Sequence, residues 1–254
     1  MRLDQMTWEE VAAYLAHQDG AILPVGSTEQ HGPIGLIGTD ALCAGAVAEG
    51  VAARAGAVVL PTLAYTPAPF NMGFPGTVSV SEPVFSALLH EIMAALATHG
   101  FRRLYVLNGH GANLAPLRAL EPEAPLALCV RSWWDYPQTN ALRTALYGEW
   151  EGMHATPSEI AITQAVFRRV ERQPLPAPEL LDASFRAAHA GDRHGPANEH
   201  RARFPCGRVG SWSELARPEH GHKLLDLAIA EAVDDYRTFA GLSACQGGGR
   251  PDVS

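Results

Sequence analysis

Residues 20–32, Gly20-Ala-Ile-Leu-Pro-Val-Gly-Ser-Thr-Glu-Gln-His-Gly32, decide the fold. An apolar run of strand length, 20–26, gives way to a polar, glycine-rich loop that lasts to Thr39. The alanine-rich stretch 40–55 then reads as a helix, and Ala57-Val-Val-Leu60 as a second strand. The pattern returns at Arg103-Leu-Tyr-Val-Leu107, a buried strand that runs straight into Asn108-Gly-His-Gly-Ala-Asn113, and again at the strand Leu126-Ala-Leu-Cys-Val130. Further helices are predicted over 82–99, stopping at Gly100, over 156–169 and over 218–240. Thr7-Trp8-Glu9-Glu10 fits a capping box, after which Trp8, Val11, Ala12 and Leu15 recur at helical spacing. Strands alternating with helices predict an α/β domain with a mostly parallel sheet. Residues 61–80, rich in Pro, Gly and Asn, should form a long irregular loop, a feature that usually serves function. No internal repeat or linker interrupts the chain, so one domain is expected over 1–242. A glycine-rich tail, 243–254, is expected to fray.

Composition removes several function classes. The 254 residues hold 19 basic and 27 acidic side chains, a net charge of −8, which gives no electrostatic footprint for a nucleic-acid backbone or an anionic membrane. Hydrophobic residues at 47% and charged residues at 18% suit a globular protein rather than a disordered one. No apolar run reaches the roughly 18 residues of a membrane span. The opening Met1-Arg-Leu-Asp-Gln5 lacks the layout of a signal peptide, so a cytoplasmic location is expected. Cys43, Cys129, Cys206 and Cys245 form no C-x-x-C pair and are expected to be thiols. Lys223 is the only lysine, so nearly all basic charge is arginine.

In open α/β sheets, ligands bind beyond the carboxyl ends of the strands. Two such ends here are dense in metal-type ligands. The first carries Glu29, His31 and, at the start of a helix, Asp40; the second carries His110. Glu29 and His31, two apart in an extended segment, share a face. Carboxylate with imidazole suits zinc, manganese or iron. Each residue alone reads as a hydrogen-bonded loop side chain or a helix N-cap; four candidates at two strand ends point to a metal. A third cluster, Trp150-Glu-Gly-Met-His-Ala-Thr-Pro-Ser-Glu159, places His154 just before a helix and Glu159 in its first turn. His154 could serve as general acid and base, and Trp150 as a flat pocket wall or as core. His90 and His99 belong to a helix, and His189, His194 and His200 to a polar stretch, 186–203, that reads as a surface excursion.

At these residues the chain resembles the creatininase family of metal-dependent amidohydrolases. The resemblance runs through Leu23–Gly32 with Gly38-Thr-Asp40, Gly73-Phe-Pro-Gly-Thr-Val-Ser79, Asn108–Asn113, and His154-Ala155 followed by Glu159, in the family's order and spacing. Weaker matches follow at Arg208-Val-Gly210 and Pro218-Glu-His-Gly221. It implies a three-layer α/β fold, two divalent ions (Zn, Mn or Fe) and a homohexamer. By position, Glu29, Asp40 and His110 would hold one ion, and His31 and Asp40 the other, with Asp40 bridging. Creatininase itself takes a glutamate two residues beyond the motif histidine, where this chain has Ala112, with Gly111 in place of a tyrosine. Glu159 is then the candidate replacement ligand. Met153 likewise stands where creatininase has a glutamate, which sets the chain apart from true creatininase, and the Gly111-Ala112 version of the motif looks more like the peptidase and deformylase branches. His154 is expected to be catalytic, with Trp150, Glu151, Phe74 and Gly111 around the substrate and Asn108 and Asn113 bracing the His110 loop.

The expected reaction is hydrolysis of a C–N bond in a small cyclic amide or formamide by metal-activated water. The alternatives are a peptidase of the mycofactocin-precursor type and a metal-binding relative without activity.

Overall fold

The computed structural model describes residues 1–242; the expected frayed tail and Cys245 lie outside the described residues. Four parallel strands form one sheet in the order β2-β1-β3-β4: β1 Gly20–Val25, β2 Val58–Val59, β3 Arg103–Asn108 and β4 Ala127–Ser132. The register aligns Val25 with Asn108 and Asn108 with Ser132, so three strands end together at one carboxyl edge.

Side chains alternate across the sheet, and helices bury both faces. Ile22, Tyr105, Leu107 and Cys129 face one core, shared with α2 (Thr39–Ala55), α5 (Pro137–Tyr147), α6 (Pro157–Val166) and α9 (Pro218–Ala240). Ala21, Leu23, Val25, Leu104 and Val106 face the other, with α1 (Trp8–Leu15), α3 (Glu82–His99) and α4 (Leu114–Ala119). The fold is therefore the three-layer α/β sandwich that the sequence predicts. Thr7 forms its capping box with Glu10 at the start of α1.

Several elements carry little sequence signal. Helix α5 is mostly polar, and its first amides are held from elsewhere: Glu231 of α9 accepts hydrogen bonds from the N–H groups of Gln138 (2.9 Å) and Thr139 (2.8 Å). Helix α6 stops at Val166, short of the predicted 169. The short helices α7 (Ala183–Ala188) and α8 (Ala197–Arg203) were not expected. Most of 186–203 is exposed, as a surface excursion should be, and two of its histidines depart from that reading. His194 and His200 are buried there, with ring centroids 4.9 and 5.1 Å from Phe70 in the short turn 69–73. Two proline- and glycine-rich segments cover each other, and a contact of that kind leaves no periodic signature.

Cys43, Cys129 and Cys206 are free thiols. Among the described residues, no helix is long and apolar enough to cross a membrane.

Helix α9 is the support behind α6. Leu224 is fully buried in the core that also holds Ile162 of α6. Leu224→Ala should cost about 2–5 kcal/mol and lower the thermal midpoint by on the order of 10 °C. A calorimetric or circular-dichroism melt checks this; an unchanged midpoint would contradict the packing.

Candidate metal centre

The carboxyl edge of the sheet gathers the candidate ligands from four segments. Glu29 and His31 lie in the loop after β1, Asp40 in the first turn of α2, His110 directly after β3, and Glu159 in the first turn of α6. Close backbone approach makes this possible. A Cβ added to Gly109 would overlap the Asp40 carbonyl, so only glycine lets the end of β3 abut the start of α2. The Asn108 side chain binds both ends of the His110 peptide. Its Nδ2 donates to the His110 carbonyl (2.7 Å) and its Oδ1 accepts from the His110 N–H (3.2 Å), while Asn113 donates to Asn108 Oδ1 (3.1 Å). On α6, Glu159 Oε1 accepts the Thr156 N–H at 2.5 Å in a capping box, which fixes the carboxylate at the helix end.

Each of three imidazoles donates one ring N–H to a backbone carbonyl. His31 Nδ1 reaches the Glu29 carbonyl (3.1 Å), His110 Nε2 that of Pro67 (2.9 Å), and His154 Nε2 that of Gln30 (2.7 Å). A carbonyl oxygen can only accept, which assigns the tautomers of His31 and His110. Gln30 Nε2 (3.0 Å) and Asn71 Nδ2 (3.2 Å) also approach His154 Nε2, but these amides donate to Asn71 Oδ1, the Gly207 carbonyl and Glu29 Oε2, which leaves the His154 N–H for the Gln30 carbonyl. The second nitrogens all turn towards carboxylates. His110 Nδ1 lies 3.1 Å from both Glu29 Oε1 and Asp40 Oδ2; His31 Nε2 lies 2.9 Å from Asp40 Oδ1 and 3.8 Å from Glu159 Oε1; His154 Nδ1 lies 3.8 Å from Glu29 Oε1. Three sets of atoms are close enough to share an ion: Glu29, Asp40 and His110; His31, Asp40 and Glu159; and Glu29, His31 and His154. Asp40 belongs to two of them, one through each oxygen.

The electrostatics fit a cation. Glu29 and Asp40 are buried, and Glu29 Oε1 and Asp40 Oδ2 receive no hydrogen bond of good geometry. Buried carboxylates in that condition need a positive charge. In the protein alone, protons on imidazoles supply it. Burial opposes a charged ring, yet Asp40 and Glu159 push His31 up to about 10, and Glu29 and Asp40 raise His110 likewise. Burial raises Glu159 to about 7 and also raises Glu29. Asp40 is held below the usual carboxylate range, since His31 and His110 outweigh its burial. His154 moves the other way, lowered by burial and by the charge on His31. One nitrogen on a carbonyl and the other on the ion is how metal-binding histidines are oriented, so donor set, tautomers and orphaned oxygens agree on divalent metal.

A cavity of about 250 Å³ opens onto these groups. Its walls include Asp40, His110, Gly111, His154 and Glu159, with Trp133, Trp134 and Arg143 facing them. Other residues singled out in the sequence stand outside it. Trp150 packs on Trp212 with ring centroids 5.3 Å apart. Glu151 is buried in an ion pair with Arg143 (2.9 Å) and a hydrogen bond from Ser158. The Phe74 ring lies beneath the Arg201 guanidinium, 4.6 Å away. Sequence reasoning missed Asn71, whose Nδ2 donates to Glu29 Oε2 (2.7 Å) and whose Oδ1 accepts from Gln30 (2.8 Å). It also missed Asp192, 3.7 Å from His110 Nδ1. The irregular loop 61–80 was the only pointer to Asn71.

An α/β sandwich with carboxylates and imidazoles collected at its carboxyl edge defines a metal-binding centre of the hydrolase type. The chain belongs to the creatininase family: the family's sequence profile, described as creatinine amidohydrolase, matches residues 4–235. It is 30% identical to creatinine amidohydrolase of Pseudomonas putida over 92% of this chain and 95% of that one. It is 41% identical to the mycofactocin precursor peptide peptidase of Mycolicibacterium smegmatis over 39% of this chain and 42% of that one. A crystal structure of creatinine amidohydrolase superimposes with a TM-score of 0.73 at 27% identity, covering 94% of this chain and 97% of that one. Related creatininase structures are described as Mn and Zn–Zn forms, with TM-scores of 0.70 and 0.69 and identities of 28% and 27%. Each covers 94% of this chain and 98% of its own.

Metal uptake should displace protons. Because His31 holds its proton up to about 10, a cation competes with that proton throughout the neutral range. Apparent affinity should therefore rise with pH, by up to about tenfold per unit for each proton displaced. Zinc titrations at several pH values between about 6 and 8.5, in buffers of different ionisation enthalpy, check this; an affinity independent of pH would count against a centre built on these imidazoles.

Proposed function

We propose that the chain is a dinuclear metal-dependent amidohydrolase that cleaves a C–N bond in a small amide. The observation that carries this reading is the pair of ligand sets joined through Asp40, each backed by an imidazole whose other nitrogen is held by a carbonyl. Glu29, Asp40 and His110 would hold one ion, and His31, Asp40 and Glu159 the other, with zinc, manganese or iron as the candidate metals. When bound, such ions activate water and polarise the scissile carbonyl.

The chain's own residues supply the rest. His154 lines the cavity with its Nε2 proton committed to the Gln30 carbonyl, so Nδ1 is the atom free to take a proton and pass it to the leaving nitrogen. Ala155 beside it is buried with φ +58°, a left-handed conformation that costs a non-glycine residue energy. Its carbonyl is held by the Ser213 hydroxyl (2.6 Å), which keeps the turn that aims His154. Gln30 is anchored by Thr77, whose Oγ1 accepts the Gln30 N–H at 3.1 Å. Trp133, Trp134 and Leu114 shape the apolar side of the pocket and limit water. The roles given to Trp150, Glu151, Phe74 and Gly111 rest on the family resemblance. So does the homohexamer.

The cavity of about 250 Å³ suits a small cyclic amide or formamide. One observation favours the peptidase reading. A second cavity of about 600 Å³ shares Gly111, Leu114, Gly191 and Asp192 with the first, and has room for the remainder of a short peptide.

Metal content per chain, on protein purified without chelator, is the decisive measurement. Wild type should hold close to two ions and Glu159→Gln about one; one ion in both would overturn the dinuclear assignment. A panel of cyclic amides, formamides and short peptides then separates the substrate classes, and metal without turnover on any of them would favour a non-catalytic relative. His154→Ala should keep its metal and lose about 10²–10⁴ in turnover. A variant within a few-fold of wild type would remove His154 from the reaction.

A further inference from the structure

Among the described residues, Asp192 is a largely buried carboxylate beside this site that the ligand sets above leave without a role. It sits in the turn between α7 and α8, far from the other candidates in sequence, with its side chain 10% exposed. Its backbone has φ +58°, a conformation that asparagine and aspartate tolerate better than most residues but that still carries strain. The turn delivers the carboxylate over the end of β3. Oδ2 accepts the Ala112 N–H at 3.1 Å and lies 3.7 Å from His110 Nδ1, the nitrogen that faces Glu29 and Asp40. Oδ1 lies 3.6 Å from His194 Nε2.

The space it fills exists because of Gly111. A Cβ at that position would overlap Asp192 Oδ2, so a side chain at 111 would force the carboxylate of 192 to shift from its place. The two unpartnered oxygens, Glu29 Oε1 and Asp40 Oδ2, converge on the same imidazole nitrogen. Donor atoms sharing an ion at about 2.1 Å stand roughly 3–4 Å apart. Asp192 meets that distance to His110 but stands outside the three sets already close enough to share an ion, so joining them needs a small inward shift of its turn. Arg143, the cation in the cavity wall, is already committed to Glu151.

We propose that Asp192 is a further acidic member of the metal centre, holding a divalent cation on the cavity side of Glu29, Asp40 and His110. This rests on the metal-centre reading and adds a fourth carboxylate to Glu29, Asp40 and Glu159. The 190–195 turn thereby becomes part of the centre, and the cavity wall it forms is ordered by the cation as well as by packing.

Two variants test this from opposite sides. Asp192→Asn keeps the shape and an acceptor for the Ala112 N–H but removes the charge; Gly111→Ala keeps the charge and displaces it. Zinc affinity is measured by competition with a chromophoric chelator, the visible spectrum is recorded after cobalt substitution, and thermal midpoints are taken on metal-free protein. Both variants should bind zinc about 10–100-fold more weakly than wild type, with an altered cobalt spectrum and a metal-free midpoint within a few degrees of wild type. Wild-type zinc affinity and cobalt spectrum in Asp192→Asn would overturn the proposal while leaving the metal centre intact. A fall in the metal-free midpoint with unchanged zinc affinity would make Asp192 a structural anchor and overturn it too. Wild type that takes up no ion would overturn the metal-centre reading itself, and this inference with it.

Discussion

Three imidazoles locked by three backbone carbonyls are the constraint on which the site depends. Each lock spends one nitrogen and turns the other inward, so His31, His110 and His154 present a fixed second nitrogen to Glu29, Asp40 and Glu159. The carbonyls belong to Glu29, Pro67 and Gln30, in the loop after β1 and the irregular loop that follows β2. These loops are therefore structural parts of the centre. Their own positions depend on Thr77 holding Gln30, on Asn71 bridging Gln30 and Glu29, and on Thr28 donating to the Ala64 carbonyl.

The sheet earns its place through register. Aligned ends at Val25, Asn108 and Ser132 bring the loops after β1 and β3 to one height, and the start of α2 closes against both. The Asp40 carboxylate then sits between two ligand sets, one oxygen towards each. A displacement of the two strands by one residue would reverse the faces of their side chains and separate Glu29 from His110. The buried packing of α2, α6 and α9 against one face thus fixes more than stability. It fixes the distance between Asp40 on α2 and Glu159 on α6, helped by the Cys43 thiol of α2, which donates to the Glu159 carbonyl at 3.4 Å.

Much of this was legible in the sequence because it is local. Apolar runs ending in polar loops mark β1 and β3 with their side-chain clusters, and α3 and α9 end where the glycines Gly100 and Gly241 follow. Glu29, His31, Asp40 and His110 could be picked out because the strand ends carry them. What stayed hidden is what depends on long-range contact. Helix α5 forms on amides capped by Glu231 from another helix. Helix α8 forms against the turn 69–73, and His200 of an otherwise largely exposed stretch is buried there beside Phe70. Asp192 has His189 and His194 close by in sequence, but the polar stretch that holds them reads as surface. Trp150 and Glu151 stand in the most ligand-like sequence cluster, yet their side chains turn to Trp212 and Arg143.

The last link runs from charge to the order of the cavity walls. Glu29, Asp40 and Asp192 approach His110 from three segments whose mutual repulsion only a positive charge offsets. A proton on His110 neutralises one negative charge; a divalent cation offsets two and binds its ligands at shorter range. The segments carrying those ligands are also the walls of the cavity, since His110, Gly111, Gly191 and Asp192 all line it. The proposed ligands at the end of β3 and on the 190–195 turn lie where the small cavity meets its larger neighbour, since Gly111, Gly191 and Asp192 line both. The residues proposed to hold the metal and those that bound the cavity in this way overlap at Asp40, His110, Glu159 and Asp192.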